Sequence, residues 1–132
     1  NNDISMLLRR KAELRLDDLK MLFFLNPESD RNLDLRPIED IAKSVIFKAA
    51  PAGLCISASA AGQEVDDTLL RTVKQAAPQV AVICNTGCRL DNVAEKLRYA
   101  DAAIVGTTFK EGGELFNHVD QARVEAFMHR PE

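Results

Sequence analysis

The chain is 132 residues long, 46% hydrophobic and 28% charged, with a formal net charge of −3. That composition belongs to a folded globular domain with a modest core and excludes a disordered chain. The acidic balance leaves no basic field to hold a nucleic-acid backbone, and no apolar run reaches the length that crosses a bilayer.

The opening segment, NNDISMLLRR, lacks the basic-then-apolar order of a secretory signal and reads as internal to a protein. Residues 4–16, ISMLLRRKAELRL, have helical spacing, with Met6, Leu7, Ala12 and Leu14 or Leu16 on one stripe. Residues 19–25, LKMLFFL, form a nearly continuous apolar run of strand length, which predicts a strand covered on both faces. Residues 26–37, NPESDRNLDLRP, are polar and broken, hence a loop.

Pro37 suits the first turn of a helix that runs through Ile38, Ile41, Ala42, Val45 and Ile46, with Glu39 and Asp40 at its positive end. A second strand, LCISAS, covers residues 54–59, after Gly53. Asp66 or Asp67 caps a helix carrying Leu69, Leu70, Val73 and Ala77, which Pro78 stops. VAVIC, residues 80–84, is the third strand, and Asp91 is the expected cap of a helix through Val93, Leu97 and Tyr99. A fourth strand covers residues 103–106, AIVG, and a last helix starts near Asp120 and carries Val124, Phe127 and Met128.

A helix followed by four strand–helix units predicts a single α/β domain with a parallel sheet. Two folds use that alternation, the open doubly wound sheet and the closed (β/α)8 barrel. The strand ends at Asn85, Thr86, Gly87 and at Gly106, Thr107, Thr108 carry small-residue glycine loops on consecutive units. In phosphate-binding barrels the phosphate sits after strands seven and eight. If the chain is the second half of a barrel, its third and fourth strands are those two.

Residues 85–128 then become specific. A glycine turn at Gly87 precedes Asn92, Val93, Ala94 and Glu95. Ala100 and Asp101 lead into a strand ending in Val105, Gly106 and Thr107. Lys110, Asn117, Val119, Asp120, Arg123, Val124, Phe127 and Met128 complete the pattern. This segment resembles the C-terminal part of the BtpA/SgcQ family, and ISASAAGQEVD, residues 56–66, is similar to that family's sixth-strand segment. The resemblance implies the C-terminal half, strands five to eight, of a (β/α)8 TIM barrel about twice this length. It also implies binding of a phosphorylated small molecule, sugar- or nucleoside-phosphate-like, with no defined activity. The alternative it carries is a non-catalytic assembly or stability factor of the photosystem I biogenesis type. One departure stands out. Where the family carries an Asp and then a Lys-His pair after the fifth strand, this chain places Phe24, Glu28 and Ser29.

The anion reading gives Gly106, Thr107 and Thr108 the role of amide and hydroxyl donors, with glycine allowing close approach. Asn85, Thr86 and Gly87 form the companion wall. The ordinary reading of both is turn chemistry. Ser57 and Ser59 point to the same side of their strand and either hydrogen-bond a ligand or fill a narrow barrel. Lys110 either neutralises a phosphate or is solvated. Asp101 reads as a cap or an ion pair. The sequence assigns no catalytic residue and no cofactor.

Cys55, Cys84 and Cys88 make an odd count without a CxxC pair, which argues against a disulfide framework and for a reducing, cytoplasmic setting. The Cys84-x-x-x-Cys88 spacing is a poor zinc signature, so no metal is expected. Four parallel strands leave two open edges, which predicts a homo-oligomer or a missing N-terminal barrel half.

Overall fold

The computed structural model describes residues 4–25, 37–58, 60 and 62–129. Helices and strands alternate along it: α1 (Ile4–Glu13), β1 (Leu22–Phe24), α2 (Ile38–Ala49), β2 (Gly53–Ile56), α3 (Asp67–Ala76), β3 (Ala81–Cys84), α4 (Val93–Lys96), β4 (Ala102–Ala103) and α5 (Gln121–Met128). The four strands form one parallel sheet in the order β1-β2-β3-β4, which is also their order along the chain. Parallel crossovers are right-handed, so strands laid down in sequence place every connecting helix on the same face. A doubly wound sheet reverses its strand order part-way, and this sheet does not.

The burial pattern agrees. Register puts Phe23, Leu54 and Val82 on one face, with Ile56 and Cys84 one pleat further on. Leu54, Ile56, Val82 and Cys84 share a single core cluster with Ala42 of α2, Leu70 and Val73 of α3, Val93 of α4 and Phe127 of α5. On the opposite face, at the sheet's two edges, Leu22 is 50% exposed, Phe24 45% and Ile104 47%. The expectation that β1 is covered on both faces therefore fails: its three residues alternate exposed, buried, exposed. The run was apolar on both sides, and only the helix side is covered among the described residues.

Local signals explain most boundaries. Asp66 caps α3 by accepting from the Thr68 N–H at 2.7 Å, and Asp120 caps α5 by accepting from the Ala122 N–H at 3.0 Å. Pro37 sits one position before α2, not in its first turn. There its carbonyl accepts from the N–H groups of Asp40 and Ile41. Asp91 is not the cap of α4. Asn92 holds that position without a side-chain cap bond, and the helix closes after four residues. Asn92 is instead used by the preceding loop, where its Oδ1 accepts from the Arg89 N–H at 2.7 Å. β4 is two residues long, shorter than the apolar run predicted, and it pairs with β3 alone. No helix among the described residues is long and apolar enough to cross a membrane.

Candidate functional site

β3 and β4 end side by side. The Asn85 N–H donates to the Ile56 carbonyl at 2.8 Å and the Ile104 N–H to the Cys84 carbonyl at 2.9 Å, which carries the ladder to the C-terminal rim of the sheet. The loops that follow therefore leave the same end. Between them lies a cavity of about 300 Å³, lined by Asn85, Thr86 and Gly87 on one side and by Gly106, Thr107 and Thr108 on the other.

A third wall comes from further along the chain. After the 3₁₀ turn Thr107–Phe109 the chain folds back on itself. Lys110 and Val119 form an antiparallel bridge, and the Asp120 N–H donates to the Phe109 carbonyl at 2.7 Å. Phe109 meets Phe127 edge-to-face at 5.2 Å and so docks α5 beneath the turn. This brings Arg123 to the cavity, where its Nε donates to the Thr108 carbonyl at 2.7 Å.

The two glycine loops are built differently. Gly87 has φ +74, and a Cβ there would fall 2.2 Å from the Gln63 carbonyl oxygen. Its glycine is demanded by a left-handed backbone and by the crossing of the 62–65 segment. Gly106 has φ −139, and a Cβ there would meet nothing within 4 Å. Neither positive φ nor packing requires glycine at Gly106. The bare position leaves room beside the cavity.

The polar side chains of the first loop are engaged with the chain that leaves β2. The Thr86 hydroxyl accepts from the Ala58 N–H at 2.9 Å, and Asn85 Nδ2 donates to Ser57 Oγ at 2.9 Å. Thr86 and Ser57 are buried, so these bonds tie the ends of β2 and β3 together. Ser57 does not line the cavity. Ser59 lies outside the described residues, as do Glu28 and Ser29. Lys110 is taken up by the fold-back and is not among the lining residues. In the second loop the turn's own bonds run from the Phe109 N–H to the Gly106 carbonyl and from the Lys110 N–H to the Thr107 carbonyl. The N–H groups of Thr107 and Thr108 fall outside them.

Two arginines line the cavity, and pattern reading had assigned neither to the site. Arg89 is partly neutralised, with Asp91 at 3.1 Å and Glu64 at 3.4 Å. Among the described residues Arg123 forms no ion pair, and its side chain bonds only a carbonyl. Arg123 belongs to the family-like pattern of residues 85–128, but nothing local in the sequence places it at this cavity. It reaches the site through the Lys110–Val119 fold-back, which lies beyond the last strand in sequence. Ile104 and Leu115 add an apolar edge.

Behind the first loop sits a buried lysine. Lys96 is 2% exposed, and its Nζ donates to the Val65 carbonyl at 2.6 Å and to Asp67 at 2.6 Å, with Glu64 at 2.7 Å. Burial alone would lower its pKa. The bonds from Asp67 and Glu64 outweigh that and raise it. The same bond from Lys96 holds the Glu64 carboxyl below the usual range. This knot pins the 64–67 segment whose neighbour Gln63 crosses Gly87. At the opposite end of the sheet, Asp101 accepts from Lys74 Nζ at 2.7 Å and from the Val82 N–H at 2.8 Å, as the ion-pair reading expected.

None of the described lining residues is an acid or a histidine. Among the described residues the cavity wall offers guanidinium groups, threonine hydroxyls and backbone amides to an anion, together with the Cys88 thiol.

A model of the BtpA family matches residues 1–132. The chain is 39% identical over 130 residues to SgcQ of Escherichia coli (strain K12), an alignment covering 98% of this chain and 48% of that protein. It is 34% identical over 90 residues to an uncharacterized protein of Thermococcus kodakarensis, covering 68% of this chain and 34% of the relative. It is 43% identical over 68 residues to an uncharacterized protein of Pyrococcus abyssi, covering 52% and 26% respectively. The chain thus spans about half the length of SgcQ, and less of the archaeal relatives.

Proposed function

The chain belongs to the BtpA family, and we propose that it binds the phosphate group of a small phosphorylated metabolite, sugar- or nucleoside-phosphate-like, in the cavity between its last two strand ends. The single observation that carries this is Arg123, a guanidinium without a carboxylate partner among the described residues. It stands beside the bare Gly106 and the N–H groups of Thr107 and Thr108. A planar guanidinium can hold two phosphate oxygens, and amides that point outward can hold others. A cavity of about 300 Å³ stands at the small end of ligand sites and suits a compact metabolite.

Titration with inorganic phosphate and with a sugar phosphate, followed by calorimetry, tests the reading. Binding should weaken at least tenfold in Arg123→Ala with the melting temperature unchanged. Equal affinity in wild type and variant would sink it.

We also propose that the sheet is one half of a (β/α)8 barrel. The sequential strand order, helices on one face and the exposed Leu22, Phe24 and Ile104 on the other support this. So does a match to 48% of SgcQ. The complementary half would supply strands at both edges and cover that apolar face. Sedimentation of the isolated chain should show association at micromolar concentration, and a stable monomer at dilution would count against the barrel.

The exposed face also favours a second reading, a non-catalytic assembly or stability factor that uses this surface for a partner. Turnover of a phosphorylated substrate would remove that reading.

A further inference from the structure

Two thiols stand where the β3 loop meets the cavity. Cys84 ends β3 and Cys88 follows the glycine turn, and their sulfur atoms are 3.4 Å apart and share a hydrogen bond. Both residues are buried, yet Cys88 lines the cavity and Cys84 lies behind it.

We propose that this pair is an oxidation site: a peroxide small enough to enter the cavity oxidises Cys88, and Cys84 closes a disulfide that deforms the anion seat. The first half stands on the thiol geometry alone. The second half rests on the phosphate reading above.

The chemistry distinguishes the two sulfurs. The hydrogen bond shared with Cys84 lowers the Cys88 pKa from the ordinary thiol value, and the charges of Lys96 and Arg89 add to that against burial and Glu64. The same bond, together with burial, pushes Cys84 far up. Cys88 is therefore the more acidic of the two and, lining the cavity, the one an entering peroxide meets. The Cys88 sulfur attacks one peroxide oxygen, the O–O bond breaks and water leaves, giving a sulfenic acid. The Cys84 sulfur then attacks the Cys88 sulfur and expels the hydroxyl as a second water. Two thiols lose two protons and two electrons, and the peroxide becomes two waters.

Closing the bond brings the sulfurs from 3.4 Å to about 2.05 Å. The turn between them cannot absorb this freely, because Gly87 is pressed against the Gln63 backbone. The strain passes to Cys88 and Arg89, both at the cavity wall. Cys55 provides an internal control. It is buried on β2 away from the cavity, and burial pushes its pKa up.

The test treats the protein with hydrogen peroxide under native conditions and reads intact mass and disulfide-linked peptides. Expected is a loss of two hydrogens, a Cys84–Cys88 linked peptide, and reversal by a dithiol reductant. In Cys84→Ser, oxidation should stop at a sulfenic acid on Cys88 that a cyclic diketone traps. In Cys88→Ser, nothing should be trapped at Cys84. No mass loss in the wild type, or a bond through Cys55, overturns the site, and neither readout needs a variant to fold. Inorganic phosphate affinity should fall at least tenfold on oxidation and recover on reduction. A disulfide with unchanged phosphate affinity overturns the coupling. If reduced protein binds no phosphate either, the functional proposal fails while the oxidation site stands.

Discussion

The two glycine loops look alike in the sequence and differ in what their glycines do. Gly87 lies in a crowded crossing, with a left-handed φ and a backbone carbonyl 2.2 Å from where a side chain would begin. Gly106 faces open space at an ordinary negative φ. The loop at Gly87 is scaffold: Asn85 bonds Ser57, Thr86 accepts from the Ala58 N–H, and Lys96 anchors the segment that crosses it. The loop at Gly106 has no such network among the described residues, and Arg123 lines the cavity beside it. A rim of this kind needs both a wall that cannot move and a wall left bare.

The comparison breaks most sharply at Gly87. Gly87→Ala imposes a Cβ on the Gln63 carbonyl and on a φ of +74. Overpacking and left-handed strain together should cost about 3 kcal/mol or more. Urea unfolding should show a lower midpoint, and an unchanged midpoint would mean the crossing is not rigid.

Next comes the anchor itself. Lys96→Met keeps the buried stem but strips donors from Val65, Asp67 and Glu64. The two acids keep side-chain exposures of 38% and 46%, so water can take them back, and the loss should be about 2 kcal/mol, below that of a fully buried pair. The pKa of Lys96 is raised on folding, so its contribution is complete below the unfolded lysine value and fades as pH rises through the folded one. The stability gap between wild type and Lys96→Met should therefore be widest near neutral pH and narrow as pH rises through the folded lysine value. A gap that stays constant across that range would contradict it.

Asp101 marks the other end of the sheet and should matter less. Its pKa is lowered first by Lys74 and then by the Val82 N–H. That stability is present above the unfolded carboxylate pKa and lost as pH falls through the folded value. Asp101→Asn should cost about 1 kcal/mol at neutral pH and flatten the acid limb of stability below the unfolded carboxylate pKa. An unaltered acid limb would assign that limb to other carboxylates. Phosphate affinity should not change, because Asp101 is not at the cavity.

Much of this was legible from residue order. The β–α alternation, the caps at Asp66 and Asp120, and the placing of both glycine loops on consecutive strand ends all follow from local pattern. What was not legible depends on contacts distant in sequence. Arg123 reaches the site only because residues 107–120 fold back, and Phe109 stacking on Phe127 is invisible to periodicity. Thr86 and Ser57 have ligand chemistry by type, and only geometry reveals that Thr86 is taken by the Ala58 N–H and Ser57 by Asn85. Asp91 failed as a cap because Asn92, one residue on, was drawn into the preceding loop.

The smallest expected change in stability is also the most direct probe of the receptive wall. Gly106→Ala adds one methyl where nothing lies within 4 Å and φ is negative, so unfolding free energy should stay within about 0.5 kcal/mol of wild type. The same methyl projects beside the amides of Thr107 and Thr108, where a phosphate oxygen would need to approach to hydrogen-bond distance. Phosphate affinity should drop at least tenfold while the melting temperature holds. If binding survives with stability intact, the anion is held elsewhere along the rim. If stability falls instead, Gly106 is scaffold after all and the contrast between the loops disappears.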